Sequence, residues 1–411
     1  MTKKTSVLIR TPTLCAVLRG AGASVAFAAL ATLSACGDGG GDSPASSGPP
    51  LQGVLAVHAA DIGTLPQNLD IWGRDEAYSA SFQGHSIWLY GDTFLRNPDV
   101  SGRTALSNTW SYTSSFDASH GIGGFQERTD SVGSPSWLIQ ETPDEKAFNL
   151  EHSPDPTTGA CQVQPCGAGW SIWPSAMITD PVSNHGLVFY TVQSVPATGG
   201  FQGVGSSVAI WSSFDQLPQR PTFSPAIVAD HSDLMFSQSE PTFGSAAVIS
   251  NGVLYVYGCG NSLDGLDKGC RVGKVAPATV QDRTTWLFYA GNGNWSSSVS
   301  QAVPVFNGLD ILSVAWNAYL QRYVAVYSSL FSQNVVMRTS PAPEGSWSDE
   351  LLLFTAMSPV DGGNTYDAQA HSEYDANGGQ TIYVTYSRSL GNFRSEVRLV
   401  SVSLQTTGPI P

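Results

Sequence analysis

Positive charge is scarce in this chain. It carries 19 Lys and Arg against 33 Asp and Glu over 411 residues, for a formal net charge of −14. That balance argues against a nucleic-acid partner and against binding to an anionic surface. Charged residues of both signs reach only 13%, which is not the composition of a helical bundle. Helical periodicity, heptads, long charge runs and low-complexity tracts are all missing after residue 53. Past the first 36 residues no apolar run is long enough to span a membrane. A nucleotide-binding Gly-rich loop, an HExxH pair and a G-x-S-x-G elbow are absent as well. What fills the chain instead is Gly, Ser, Thr, Asn, Trp and Tyr, as expected of a β-rich extracytoplasmic protein.

The N-terminus supports that compartment. Lys3, Lys4, Arg10 and Arg19 form a basic region, Ala21 to Leu33 is an apolar run of small residues, and Leu33-Ser34-Ala35-Cys36 closes it. This order reads as a lipoprotein signal peptide over residues 1–36, with Cys36 the lipidated residue; the rival is an ordinary secretory peptide cut nearby. Residues 37–53, rich in Gly, Ser and Pro, read as a tether. Removing four basic residues and no acidic ones takes the charge from −14 to −18. The expected location is the bacterial cell envelope, with the membrane met through the lipid only and a monomeric domain over 54–411.

Cysteine is also sparse. Cys15 leaves with the leader and Cys36 would carry lipid, so Cys161, Cys166, Cys259 and Cys270 remain. An even set in an oxidising compartment points to two disulfides. Three pairings are possible, and Cys161–Cys166 with Cys259–Cys270 needs the least loop closure. A zinc site is the rival, but the spacings suit tetrahedral ligation poorly. Asn261 to Asp267 carries acidic residues in a turn yet lacks the alternate oxygens and distal Glu of a calcium loop. No metal or other cofactor is expected.

Short aromatic and β-branched strands recur. Ser86 to Tyr90, Gly186 to Tyr190, Gly252 to Tyr257, Arg322 to Tyr327 and Gln380 to Tyr386 each follow a turn, have a strand candidate upstream, and often have a third downstream. The spacing is a degenerate repeat of roughly 60–75 residues, present five times, which indicates a β-propeller because one such unit cannot bury its own faces. The expected fold is all-β and five-bladed, with blades beginning near residues 72, 170, 240, 308 and 366. A two-sheet sandwich with insertions is the alternative.

Acidic residues recur beside the first strand of several repeats. Asp75 precedes the first, Glu240 the third, Asp310 the fourth, and Asp367, His371 and Glu373 cluster at the fifth. Each alone suits a solvated cap. Together they suit a funnel in which rigid strands hold two carboxyls at fixed separation, one to protonate a leaving oxygen and one to activate water or attack carbon. Arg74 would orient a carboxylate or a sugar hydroxyl, or else form a surface ion pair. Asp92 reads first as a turn former. Trp72, Trp170, Trp173 and Trp316 lie near blade starts, placed either to stack on sugars or to pack the core.

The stretch from Arg74 and Asp75 through Ser86-Ile87-Trp88-Leu89-Tyr90-Gly91-Asp92-Thr93-Phe94 resembles the opening blade of a group of bacterial secreted propellers. That group, long labelled only as a domain of unknown function, includes endo-D-arabinanases. Phe243 to Ala246 with Val253 to Gly258 is similar to its middle blade, Ser313 to Asn317 with Tyr323 to Tyr327 to its fourth, and Ala370 to Glu373 with Thr381 to Tyr386 to its last. The resemblance implies hydrolysis of furanoside glycans, with Asp75 the most transferable position. Residues 97–140 and the loop holding Cys161 and Cys166 depart from the pattern. The sequence thus leads to a glycoside hydrolase on a polysaccharide such as arabinan, with Asp75 as base or nucleophile, Glu240 or Glu373 as acid, Asp310 tuning the pair, and Arg74, Asp92, Trp316, Asp367 and His371 binding substrate. The alternative is a noncatalytic glycan-binding lipoprotein.

Overall fold

The computed structural model describes residues 53–155, 158–260, 269–362 and 365–407. The leader, nearly all of the tether, Cys36 and Asn261 to Asp267 lie outside them. The chain is a five-bladed β-propeller, each blade an antiparallel sheet. The innermost strands are Ile71–Phe82, Gly169–Thr179, Phe243–Ser250, Ser313–Asn317 and Tyr366–Ala370, close to the starts read from the repeat.

Within a blade the strands follow one another through tight turns. Gln83-Gly84 and Asn251-Gly252 join first to second strands as two-residue loops with positive φ at both positions, the conformation whose twist matches the flanking strands. The second strands, such as His85–Leu95 and Thr381–Gly391, are almost wholly buried in their first halves, which explains their continuous apolar reading.

Ring closure was not legible in the repeat. Val54–Thr64 pairs antiparallel with Arg394–Thr406 and becomes the outermost strand of blade five. The two ends of the propeller are thereby tied into one sheet, so the ring cannot open without breaking backbone pairing. Between blades the contacts are large and aromatic. Phe82 meets Trp211 at 4.8 Å, Phe236 meets Phe243 at 4.8 Å, and Phe306 meets Trp347 at 5.0 Å. Burying each such ring stabilises the junction by about 2–3 kcal/mol relative to exposure.

One helix interrupts the pattern. Pro143–His152 starts from a Thr142–Glu145 capping box, and Arg220 ties Glu145 to Asp233 with contacts of 2.6 Å to each. Both disulfides form, Cys161–Cys166 and Cys259–Cys270. The second joins directly opposed residues of neighbouring strands.

The inner strands share an irregularity that positions the site. Their pairing slips between Arg74 and Tyr78, between Pro174 and Met177, between Phe243 and Ala246, and between Tyr366 and Gln369. A bulge of this kind bends a strand and re-aims its side chains. Four of the five blades carry one at the same level of the channel.

Candidate functional site

In blade one the bulge carries two successive non-glycine residues of positive φ, Glu76 at 67° and Ala77 at 92°; in blade five Asp367 stands at 58°. Such backbone costs about 1–3 kcal/mol per residue and persists only where the surroundings impose it. Here it crowds four carboxyls. Asp75, Glu76 and Asp92 come from blade one and Asp367 from blade five. The backbone N–H of Glu76 donates to Asp367 Oδ2 at 3.0 Å, and the Tyr366 hydroxyl donates to Asp75 Oδ2 at 3.1 Å. Trp173 in blade two donates its indole N–H to Asp92 Oδ1 at 2.9 Å. Gly91 makes room: a Cβ there would lie 2.7 Å from the Glu76 carboxyl carbon.

The four differ in depth. Glu76 and Asp367 are buried, 8% and 5% exposed, while Asp75 and Asp92 are half-buried. None of them is ion-paired among the described residues. Burial pushes Asp75 up to about 6, against the hydrogen bond from Tyr366. Burial, then the charge of Asp75, pushes Asp92 up to about 7, against the bond from Trp173. Glu76 and Asp367 are driven well above the carboxylate range by burial first and by their acidic neighbours second. A cluster so arranged holds protons at neutral pH in which isolated carboxyls hold none.

Beside it opens a cavity of about 390 Å³, lined by Glu76, Trp173, Phe201, Thr242 and Asp310 among others. Trp173 and Phe201 meet edge to face at 4.7 Å, and Phe201 is 45% exposed. Tyr78 closes the cavity below. Among the described residues no group of three or more His, Cys, Asp or Glu is arranged to hold a metal ion.

Of the residues singled out from sequence, Asp75, Asp92 and Asp367 come together here and Asp310 stands on the cavity wall. Others sit elsewhere. Glu240 lies half-buried outside the cluster; against burial, the Arg283 guanidinium and the Ser237 N–H hold its carboxyl below the usual range. Arg74 is 2% exposed, lies 3.5 Å over the Tyr90 ring and pairs with Glu127 at 2.9 Å, so it is a core cation and not a surface one. His371 and Glu373 lie at later positions of blade five, where both meet the Ser79 hydroxyl, and Trp316 is on the rim of that opposite end. Burial holds His371 uncharged, down to about 3.

Glu76, Tyr366 and the tie from Trp173 to Asp92 escaped the sequence reading. In a regular strand Glu76 would face away from Asp75; the bulge undoes that alternation and no local residue pattern announces it.

Several solved structures are similar to this chain. A putative hydrolase from Bacteroides ovatus aligns with a TM-score of 0.54 at 14% identity, over 81% of this chain and 87% of that one. A family 117 glycoside hydrolase from Zobellia galactanivorans aligns at 0.47 and 9%, over 86% and 91%. A β-xylosidase/α-arabinofuranosidase from a compost metagenome aligns at 0.44 and 10%, over 86% and 94%. At these identities the first likeness speaks to fold alone. No curated protein matches. The family described as "Domain of unknown function (DUF4185)" matches residues 56–390, and the chain belongs to that family.

Proposed function

We propose that this protein is a glycoside hydrolase acting on a furanose-containing polysaccharide, in the manner of an endo-D-arabinanase, from a lipid-anchored position at Cys36 in the bacterial cell envelope. The observation that carries the reading is the half-buried pair Asp75 and Asp92, both with raised proton affinity, clustered with the buried pair Glu76 and Asp367, of which Glu76 lines an aromatic-walled cavity.

In this reading Asp75 and Asp92, the more exposed pair, act on substrate, while Asp367 and Glu76, which lines the cavity, tune them. Asp92 gives its proton to the glycosidic oxygen as the bond to the anomeric carbon breaks. Asp75, held by Tyr366, either takes a proton from the attacking water or attacks the carbon itself; in the second case water, deprotonated by Asp92, then breaks the Asp75–carbon ester bond and restores both carboxyls for the next turnover. The leaving chain departs with a new hydroxyl and the other fragment gains a reducing end. The two acids share one titration. Burial raises both members of the pair above the carboxylate range. This assignment moves the acid from Glu240 or Glu373 to Asp92, since neither glutamate joins the cluster. Asp310, read from sequence as tuning the pair, joins Trp173 on the cavity wall, where the two position sugar.

The test is release of reducing ends from arabinan and a panel of neutral glycans. Turnover by the wild type, lost in Asp75→Asn while binding persists, supports hydrolysis. Binding without turnover on every glycan makes the protein a binding module.

A further inference from the structure

The later halves of the five inner strands enclose a second cavity, of about 400 Å³, at the end of the channel away from the acid cluster. Tyr78 lies on the wall of both cavities, and its hydroxyl donates across the channel to the Ser245 carbonyl at 3.3 Å. Its ring is the partition between them.

Three features of the far cavity point to a ligand. Gln369 lines it and is 2% exposed, yet its amide Nε2 donates to nothing among the described residues. A buried amide without an acceptor is costly and is retained where something supplies one. Glu373 is fixed on the same wall, its Oε1 meeting the Ser79 hydroxyl at 2.5 Å and the Ser86 hydroxyl at 3.1 Å. The Ser79 hydroxyl is itself pinned by His371 Nδ1 at 2.6 Å, so the carboxyl sits in a prepared frame. Trp316 stands at the rim 43% exposed, braced edge-on by Tyr323 at 5.0 Å.

We propose that the far cavity is a second carbohydrate site, which takes one neutral sugar ring with its apolar face on Trp316 and its hydroxyls on Gln369 and Glu373. A braced, exposed indole beside convergent polar groups is the arrangement that binds such a ring. Burial raises the Glu373 carboxyl above its ordinary range, which suits hydroxyl partners better than an ammonium group. The remaining wall is apolar and hydroxyl side chains, Met177, Ile178, Ile249 and Leu312 the largest after Tyr78. Two sites at opposite ends of one ring engage separate stretches of polymer and raise retention on it. Only the choice of probe rests on the reading given under the proposed function.

The experiment is calorimetric titration of an arabinan oligosaccharide into Asp75→Asn protein, with wild-type hydrolysis scored in parallel. A site that weakens at least about tenfold in Trp316→Ala/Gln369→Leu supports the proposal, provided the melting temperature holds within about 2 °C. Binding that the double variant leaves unaltered, or no binding at all, overturns it. Hydrolysis with no second site removes this inference alone. A second site without hydrolysis leaves it standing and removes the proposed function.

Discussion

The Trp173 indole and the Asp92 carboxylate are joined at 2.9 Å across the seam between blades two and one. The bond ties the cavity wall to the acid cluster and holds down the proton affinity of Asp92, which burial and Asp75 push up.

Replacing Trp173 with Phe removes that donor and keeps a ring. The Asp92 proton affinity then rises. A hydrogen bond to a charged group is worth about 1.5–3 kcal/mol and one pH unit about 1.4, so the alkaline limb of the pH–rate profile should move up by about one unit. An unmoved limb would separate Asp92 from the acid role.

Stability should fall with pH across the cluster's titration. Asp75 and Asp92 bind protons more tightly folded than unfolded, with folded values of about 6 and 7 against 3.8. The folded state therefore holds more protons between about pH 4 and 7, and stability declines as pH rises through that window. Asp92→Asn should flatten the decline and raise the melting temperature at pH 7 by about 2 °C or more. Thermal melts from pH 4 to 8 read both effects.

Phe201 offers an exposed ring on the cavity wall. Phe201→Ala should raise KM about tenfold while kcat changes little, as expected for binding that is equal in ground and transition states. Steady-state kinetics on a soluble oligosaccharide decide it.

Glu240→Gln should cost about 1 kcal/mol of stability, because the Arg283 pair is only partly shielded. Chemical denaturation measures it.

Much of the ring was written locally. The strands after Gln83-Gly84 and Asn251-Gly252 announce themselves by β-branched and aromatic content, and their spacing counts the blades. Pairing of Val54–Thr64 with Arg394–Thr406 spans nearly the whole chain, so no short-range pattern carries it. Asp75 was legible as an acid at the opening inner strand, although its partner Tyr366 lies 291 positions further on. Glu76 was not, because a bulge and positive φ overrode the two-residue alternation. Glu240 misled for the complementary reason: an acid before a strand reads alike whether it faces the channel or Arg283, which lies 43 positions further on.

The most direct measurement compares kcat/KM on a short arabinan oligosaccharide, which cannot reach both cavities at once, for Asp75→Asn, Asp92→Asn, Glu240→Gln and Glu373→Gln, each checked for its fold. The first two should fall by about a hundredfold or more, the scale of losing a nucleophile or a general acid, and the last two should stay within about threefold of wild type. Full activity in Asp75→Asn and Asp92→Asn, or a collapse confined to Glu240→Gln or Glu373→Gln, would contradict the placement of the chemistry at the crowded carboxyls of blades one and five.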